Sequence, residues 1–460
     1  MGPAADTIAA ISTPPIPAAI GILRLSGPRA AQIAAVCFKP LGRKGLLEHR
    51  PHELVYGDLL DTEGAVIDRV LCTFSLAPHS YTGEDTAEIH CHGAPMVLQL
   101  GLEALFAAGA RQAQRGEFTR RAFLNGKLDL AQAEAVGDLL EADSRQAARN
   151  AAGQLNGALS RRIGAVYSAL LDVMAHFHAV LDYPDEDIDP LTARQLGESL
   201  AAQRTALEQL AASWHRGQLV KNGVPCAIVG RPNAGKSSLL NALVGYERAI
   251  VTNIPGTTRD TVEERAELGG VTLRLIDTAG LRRSDDPIEQ LGVERSRKAM
   301  EEAELILLVA DGAAEWTRED SELARTVADT GKPWVLVWSK ADLEKRAAAA
   351  DMSGADAPPA VEVSAKTGQG LDRLAAAVGA LVPRGQEEYG QLLTNARQAE
   401  AAGRALAAVI RAQEALESGV TPDAMLADVE DALSALGELT GQSVREDITD
   451  RIFQRFCVGK

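Results

Sequence analysis

The chain is poor in several things, and each shortage excludes something. Of its 460 residues only 4% are aromatic, and five are cysteine: Cys37, Cys72, Cys91, Cys226 and Cys457. The cysteines are scattered, odd in number and free of any C-x-x-C pair, which fits a reducing cytosol rather than a disulfide framework. No apolar run approaches the ~20 residues of a membrane span, so no membrane association is expected. The N-terminus lacks a basic stretch followed by an apolar core and is broken by Pro14, Pro15 and Pro17, so no export signal is expected and the predicted location is cytoplasmic. Positive charge is also scarce. With 47 Lys and Arg against 63 Asp and Glu, the net charge is −16. That argues against nonspecific coating of nucleic acid, and any RNA contact would need a local basic patch.

What is present is an ordinary globular composition, 46% hydrophobic and 24% charged, at a length that suggests roughly two to four domains. Residues 1–118 mix short β-rich runs, Ala19–Leu25 and Val70–Phe74, with Gly and Pro punctuation, as a compact α/β or α+β domain would. From 119 to 216 the texture changes to Ala/Leu/Glu/Arg stretches with helical spacing, interrupted only by the acidic segment Tyr183–Pro190. Residues 217–383 alternate strands and helices, with strands predicted at 224–229, 261–268, 271–276, 305–310, 333–338 and 360–364. Gly269-Gly270 is a two-residue hairpin signal, so one edge of an otherwise parallel sheet is predicted to be antiparallel. From 384 to 460 the chain returns to Ala-rich helix. The economical arrangement is a nucleotide-binding domain inserted into a helical domain split in two, although two separate helical modules fit equally well.

Chemistry enters at Gly230-Arg-Pro-Asn-Ala-Gly-Lys-Ser237, a complete G-x-x-x-x-G-K-S phosphate loop between a strand-like run and a helix-like run opening at Ser238. Such a loop cradles phosphates with backbone N–H groups: here those around Asn233, Ala234 and Gly235. Lys236 reaches the β/γ oxygens and the Ser237 hydroxyl joins Mg²⁺. Downstream, Pro255–Asp260 supplies a threonine, Thr258, suited to close on Mg²⁺ and the γ-phosphate. Asp277-Thr278-Ala279-Gly280 ends a strand, with Asp277 placed for the metal's water shell and Gly280 N–H for the γ-phosphate. Ser364-Ala365-Lys366 resembles the loop that lies against a guanine base. Four elements in this order specify a GTPase of the translation-factor-like class.

Two departures carry information. The base-reading motif, usually Asn-Lys-x-Asp, is Ser339-Lys340-Ala-Asp342. Asp342 keeps the two acceptors that guanine N1–H and N2–H₂ require, so guanine preference is expected with a weakened pocket. The position that in Ras-like enzymes holds the water-orienting glutamine is Leu281, which cannot bond water. The Asn233 carbonyl oxygen is a candidate ligand for a monovalent cation between the phosphates. Glu289 is a candidate for orienting water, although by local spacing alone it reads as a solvated carboxylate.

The segments Gly21–Gly27, Tyr81–Asp85, Arg115–Thr119, Ala122–Glu134 and Asp182–Glu186, taken with the ending Phe456-Cys-Val-Gly-Lys460, closely resemble the MnmE/TrmE tRNA-modification GTPases. The likeness runs from Asp6 to Lys460. It implies an N-terminal α/β folate-binding and dimerisation domain (1–118), a discontinuous helical domain (119–216 and 384–460) and an inserted Ras-like P-loop G domain (217–383). It further implies a homodimer that joins an FAD-dependent partner of the MnmG/GidA type and acts on tRNA. Together they would install a carboxymethylaminomethyl or aminomethyl group at C5 of the wobble uridine, with 5-formyl- or methylene-tetrahydrofolate as one-carbon donor.

The resemblance also implies K⁺-dependent activation of GTP hydrolysis, with K⁺ held by Asn233, Thr252, Thr257 and the carbonyl of Ile254, and Mg²⁺ by Ser237 and Thr258. Glu289 takes the water-orienting role. Arg24, Glu88, Lys127 and Lys460 match folate positions, and Cys457 is implicated in the modification chemistry. Family members commonly carry a Gly/Arg-rich stretch after Thr-Pro-Pro, whereas this chain reads Thr13-Pro-Pro-Ile-Pro-Ala-Ala19. A folate's glutamyl carboxylates call for a cation such as Arg24 or Lys127, and a pterin's donors suit Glu88.

Other readings weigh less. A regulatory GTPase switch of the ribosome-assembly type would share residues 224–366 but leaves 1–118 and the Cys-Val-Gly-Lys ending unexplained. A scaffold with a decayed nucleotide site gains only Ser339 in its favour. His90-Cys-His92 places two histidines on one face of a strand but lacks a third ligand, so it is not read as a metal site. Arg111, Arg115, Arg120, Arg121 and Lys127, set against the single acid Glu117, are a candidate phosphate contact, a solvated charged face being the commoner meaning of such a run.

Overall fold

The computed structural model describes residues 6–182, 193–246, 264–276, 297–345, 357–382, 389–418, 422–442, 452–453 and 456–459. The chain divides into two compact units: Met1–Leu140 with Ala152–Leu207 and Glu400–Lys460, and Glu141–Ala151 with Glu208–Ala399. Each unit is therefore discontinuous in sequence.

The first unit opens on a seven-stranded sheet. Its strands are β1 (Ile8–Ile11), β2 (Ala18–Ser26), β3 (Phe38–Pro40), β4 (Val55–Leu60), β5 (Val66–Ser75), β6 (Thr86–Gly93) and β7 (Arg111–Gln112), in the order β3-β4-β5-β6-β2-β1-β7. All neighbours are antiparallel except β1 and β7. Alternation along the strands sends Leu23, Leu25, Leu59, Cys72 and Ile89 into a core with the helices Ala30–Cys37 and Pro95–Ala107, which contribute Ile33, Leu98 and Leu105. Residues of opposite parity, among them Tyr56, Leu71, His90 and Ile22, line up in cross-strand register on the other face.

Helices Glu117–Leu124, Leu130–Glu141 and Ala158–Asp182 follow, and Pro422–Thr440 packs on Ala158–Asp182. The C-terminal Phe453 and Phe456 are buried against Ala133 and Val136.

The second unit is built on β8 (Val224–Val229), β9 (Glu264–Leu268), β10 (Val271–Ile276), β11 (Leu305–Asp311), β12 (Trp334–Ser339) and β13 (Ala360–Glu362), in the order β13-β12-β11-β8-β10-β9. All pairs are parallel except the β9–β10 hairpin. Both turn glycines adopt positive φ, Gly269 at 60° and Gly270 at 74°, as the sequence predicts for a tight two-residue turn. A Cβ at Gly269 would stand 2.1 Å from the carbonyl oxygen of Ala375, so helix Leu371–Leu381 approaches the turn more closely than a side chain allows.

The central strands β8, β11 and β12 are buried on both faces, while β9 and β10 bury alternate residues. Cys226, Leu273, Leu307 and Val337 face one core, and Ala227, Ile306, Leu308 and Trp338 face the other. This explains why the central strands read as unbroken apolar runs.

Cys37, Cys72, Cys91 and Cys226 are buried and free, Cys457 is exposed and free, and burial pushes the four buried thiols up. Among the described residues no helix is long and apolar enough to cross a membrane.

Candidate functional site

The phosphate loop sits where the sequence places it, between the end of β8 and the helix Lys236–Tyr246. Its path demands unusual backbone: Gly230 has φ 156°, Asn233 60° and Gly235 97°. A Cβ on Gly230 would lie 2.2 Å from the Val309 carbonyl oxygen. The Lys236 ammonium donates to the carbonyls of Gly230 and Arg231, each at 2.7 Å, and burial holds its pKa below the ordinary lysine range. A half-buried lysine at a helix N-terminus is suited to an anionic phosphate chain. Ser237 is half-buried and Ser238 exposed, both in the first turn of that helix.

The base-reading residues converge on the same loop. Ser339 ends β12, is buried, and donates from its hydroxyl to the Ala234 carbonyl at 2.5 Å. Lys340, in the left-handed region at φ 58°, is paired with Asp311 at the end of β11, Nζ to Oδ2 2.6 Å. Asp342 accepts from the Ser364 hydroxyl at 2.7 Å, which holds its carboxyl below the usual range. The same Ser364 oxygen accepts from the Thr367 N–H at 3.2 Å, which fixes the loop containing Ala365 and Lys366. The short Ser339 side chain thus reaches back to the phosphate loop through the Ala234 carbonyl.

A second cluster lies on the open face of the N-terminal sheet. Arg24 and Glu88 are cross-strand partners, Nε to Oε1 2.8 Å, and the other Glu88 oxygen is 3.3 Å from His90 Nε2. The hydrogen bond from His90, opposed by burial and aided by Arg24, holds Glu88 down at about 2. The Arg24 guanidinium stands 5.9 Å from the centre of the Phe118 ring. It also contacts the Gly459 carbonyl at 3.4 Å, which accepts from the Ser12 hydroxyl at 3.0 Å as well.

The C-terminal tail is thus seated on this domain. Val458 pairs with Arg115, and the Cys457 carbonyl accepts from the Gly116 N–H at 3.3 Å while the Cys457 thiol stays exposed. Lys127 lies on the adjoining loop, its ammonium 2.8 Å from the Pro78 carbonyl. Tyr81, in the same segment as Pro78, bonds Thr119 at 3.0 Å.

His90, Phe118, Tyr81 and Ser12 were not singled out from sequence as part of this cluster. The signal for His90 was available, since it stands two residues from Glu88 and so shares its face.

Two cations of the cluster at 111–127 are spent on internal ion pairs, while Arg115 and Lys127 are exposed. Arg121, with 4% of its side chain exposed, donates to Asp6, Glu84 and Glu117, and Arg111 is paired with Asp6 and Glu117. The acids that satisfy these two cations come from distant segments, which local counting of charge misses.

Thr252, Ile254, Thr257, Thr258, Asp277, Thr278, Ala279, Gly280, Leu281, Glu289 and Lys460 lie outside the described residues.

Comparison with known proteins then decides the family. Residues 130–457 match the model of the MnmE helical domain, and residues 7–127 match that of the GTP-binding protein TrmE N-terminus. The chain belongs to the MnmE family. A tRNA modification GTPase MnmE of Chloroflexus aurantiacus is 46% identical over 99% of this chain and 100% of its own. One of a Roseiflexus species is 45% identical over 99% of both chains. The full-length match to MnmE proteins accounts for the N-terminal sheet and the seated tail, which a nucleotide-binding unit alone would not need.

Proposed function

We propose that this chain is a K⁺-activated GTP hydrolase that, as a cytoplasmic homodimer with an FAD-dependent MnmG/GidA-type partner, modifies C5 of the wobble uridine of certain tRNAs with a one-carbon unit from tetrahydrofolate. In coarser terms it is a GTP-binding, GTP-hydrolysing enzyme of tRNA modification. The domain boundaries we assign are 1–118 for folate binding and dimerisation, 119–216 and 384–460 for the split helical domain, and 217–383 for the G domain. The observation that carries the reading is that one chain of the MnmE family combines a phosphate loop linked to a base-reading aspartate with a tail seated at Arg24 and Glu88.

At the nucleotide, Lys236 and the helix N-terminus bind phosphate, and Asp342 selects guanine through an orientation set by Ser364. Ser237 with Thr258 would hold Mg²⁺, which supplies charge neutralisation at the phosphates. Asn233, in the left-handed conformation at the exposed crown of the loop, offers a neutral oxygen suited to K⁺, with Thr252, Ile254 and Thr257 completing its shell. Glu289 orients the water in place of glutamine.

In the N-terminal domain, Glu88 is an ionised acceptor for pterin N–H donors, and Arg24, Lys127 and Lys460 suit the anionic tail of a folate. The bound folate would supply the one-carbon unit. Cys457, with its exposed thiol beside this site, is assigned to the modification step. The open sheet face supports dimerisation: Ile20, Tyr56 and Leu71 are exposed there by 59%, 53% and 38%. Mass spectrometry of tRNA nucleosides from a strain lacking this chain tests the reading. Loss of the C5 substituent on wobble uridine is expected, and an unchanged nucleoside profile would refute it.

A further inference from the structure

The phosphate loop has an anchor outside the nucleotide motifs. Arg231, second residue of the loop, donates from Nε to Asp320 Oδ1 at 2.6 Å, across 89 residues of sequence. Asp320 lies in the first turn of the helix Arg318–Asp329 with 6% of its side chain exposed. Its second oxygen, Oδ2, accepts from the N–H and the hydroxyl of Thr317, both at 2.9 Å. A helix cap needs only that second oxygen. The first is spent on the loop, and a carboxylate this buried requires such a cation.

The anchored residue is also the one whose backbone organises the loop. The Arg231 carbonyl accepts from Lys236 Nζ at 2.7 Å and from the Ala234 N–H at 3.3 Å. Thr317, Asp320, Arg231 and Lys236 therefore form one continuous chain of hydrogen bonds, running from a helix cap to the phosphate-binding ammonium.

We infer that Asp320 is a positioning residue for GTP, acting through Arg231 to fix the entering limb of the loop and the carbonyl that places Lys236. The inference rests on the reading of this loop as the GTP site. Loss of the anchor lets that limb move, so Lys236 meets the phosphates less well in both ground and transition states. Nucleotide retention then falls more than turnover.

The test uses the full chain, Mg²⁺ and a fluorescent N-methylanthraniloyl GTP as probe. Asp320→Asn should speed release of the probe and raise the GTP KM by roughly tenfold, with kcat changed less than about threefold. Arg318→Ala, on the exposed side of the same helix, should leave both at wild-type values. Should Asp320→Asn fail to fold, the double variant Arg231→Gln with Asp320→Asn leaves no unpaired charge buried and should show the same KM effect. A folded variant with lowered Tm but wild-type KM and release rate would make Asp320 a helix cap only and overturn the inference. Failure of the wild-type chain to bind the probe would instead overturn the GTP reading itself.

Discussion

The hydroxyl of Ser339 stands 2.5 Å from the carbonyl oxygen of Ala234, so the residue that departs from the usual base-reading motif ties the base side of the site to the phosphate side. A Cβ on Gly235 would come within 3.1 Å of that hydroxyl, so the loop backbone passes close against Ser339 at that glycine. Ser339→Ala leaves the buried carbonyl without this donor. It should cost about 1–3 kcal/mol of stability and weaken GTP binding, read by urea unfolding and by nucleotide titration. Retention of full affinity would mean that the link does not shape the site.

Asp342 is the residue proposed to read guanine. Asp342→Asn should lower GTP binding by about two orders of magnitude, since a donor–acceptor mismatch with the base replaces a matched pair. Xanthosine triphosphate, with an acceptor where guanine has a donor, should then bind better than GTP. Competition titrations with the two nucleotides read the exchange. GTP should outcompete ATP in the wild-type chain, Ser339 notwithstanding.

Much of the nucleotide half was legible in the sequence. β8, β11 and β12 are buried along nearly their whole length and appear as apolar runs, whereas β10 shows as alternation beside the Gly269-Gly270 turn, and the predicted limits at 224–229 and 271–276 coincide with β8 and β10. The N-terminal half was less legible. β3, β4 and β7 are short or interrupted by exposed and polar residues, as at Tyr56 and Asp58, so their runs never look continuous. The contact of Arg24 with Gly459 joins residues 435 apart, and no local pattern encodes it. Arg24 and Glu88 were named through the family resemblance, whereas their pairing is a fact of strand register. The arginine cluster misled for the same reason, since Asp6 and Glu84 reach it only in the fold.

Arg121 should behave as a structural cation. Arg121→Met strands the largely buried Glu84 without its cation, while Glu117 keeps Arg111, and should cost about 3 kcal/mol, seen as a lowered Tm of the full chain. A wild-type Tm would return the cluster to the surface and reopen its role as an RNA contact.

Glu88 predicts a pH signature. Its folded pKa, about 2, lies below the unfolded value of about 4.3, so its ionisation stabilises the fold above the unfolded pKa. That contribution disappears as pH falls from the unfolded value toward the folded one. With the side chain 30% exposed, solvent screening reduces it to about 1–2 kcal/mol. The stability gap between wild type and Glu88→Gln, measured by urea unfolding, should be full at pH 7 and shrink between about pH 4.3 and 2. A constant gap would show that Glu88 is not held ionised by Arg24 and His90.

Cation dependence follows from Asn233 and from Leu281 in place of glutamine. GTP hydrolysis should be faster in K⁺ than in Na⁺ buffer at equal ionic strength, and Asn233→Ala should abolish the difference. Equal wild-type rates in the two buffers would remove the potassium assignment.

The central claim is that one chain joins GTP hydrolysis to transfer of a folate-borne carbon onto tRNA. Its most direct test combines the purified chain, the FAD-dependent partner, unmodified tRNA, GTP, K⁺ and tetrahydrofolate labelled in its one-carbon unit. Label should appear at C5 of the wobble uridine, and Arg24→Ala or Lys236→Ala should each abolish it. Modification that proceeds without label from the folate, or without GTP, would contradict the account.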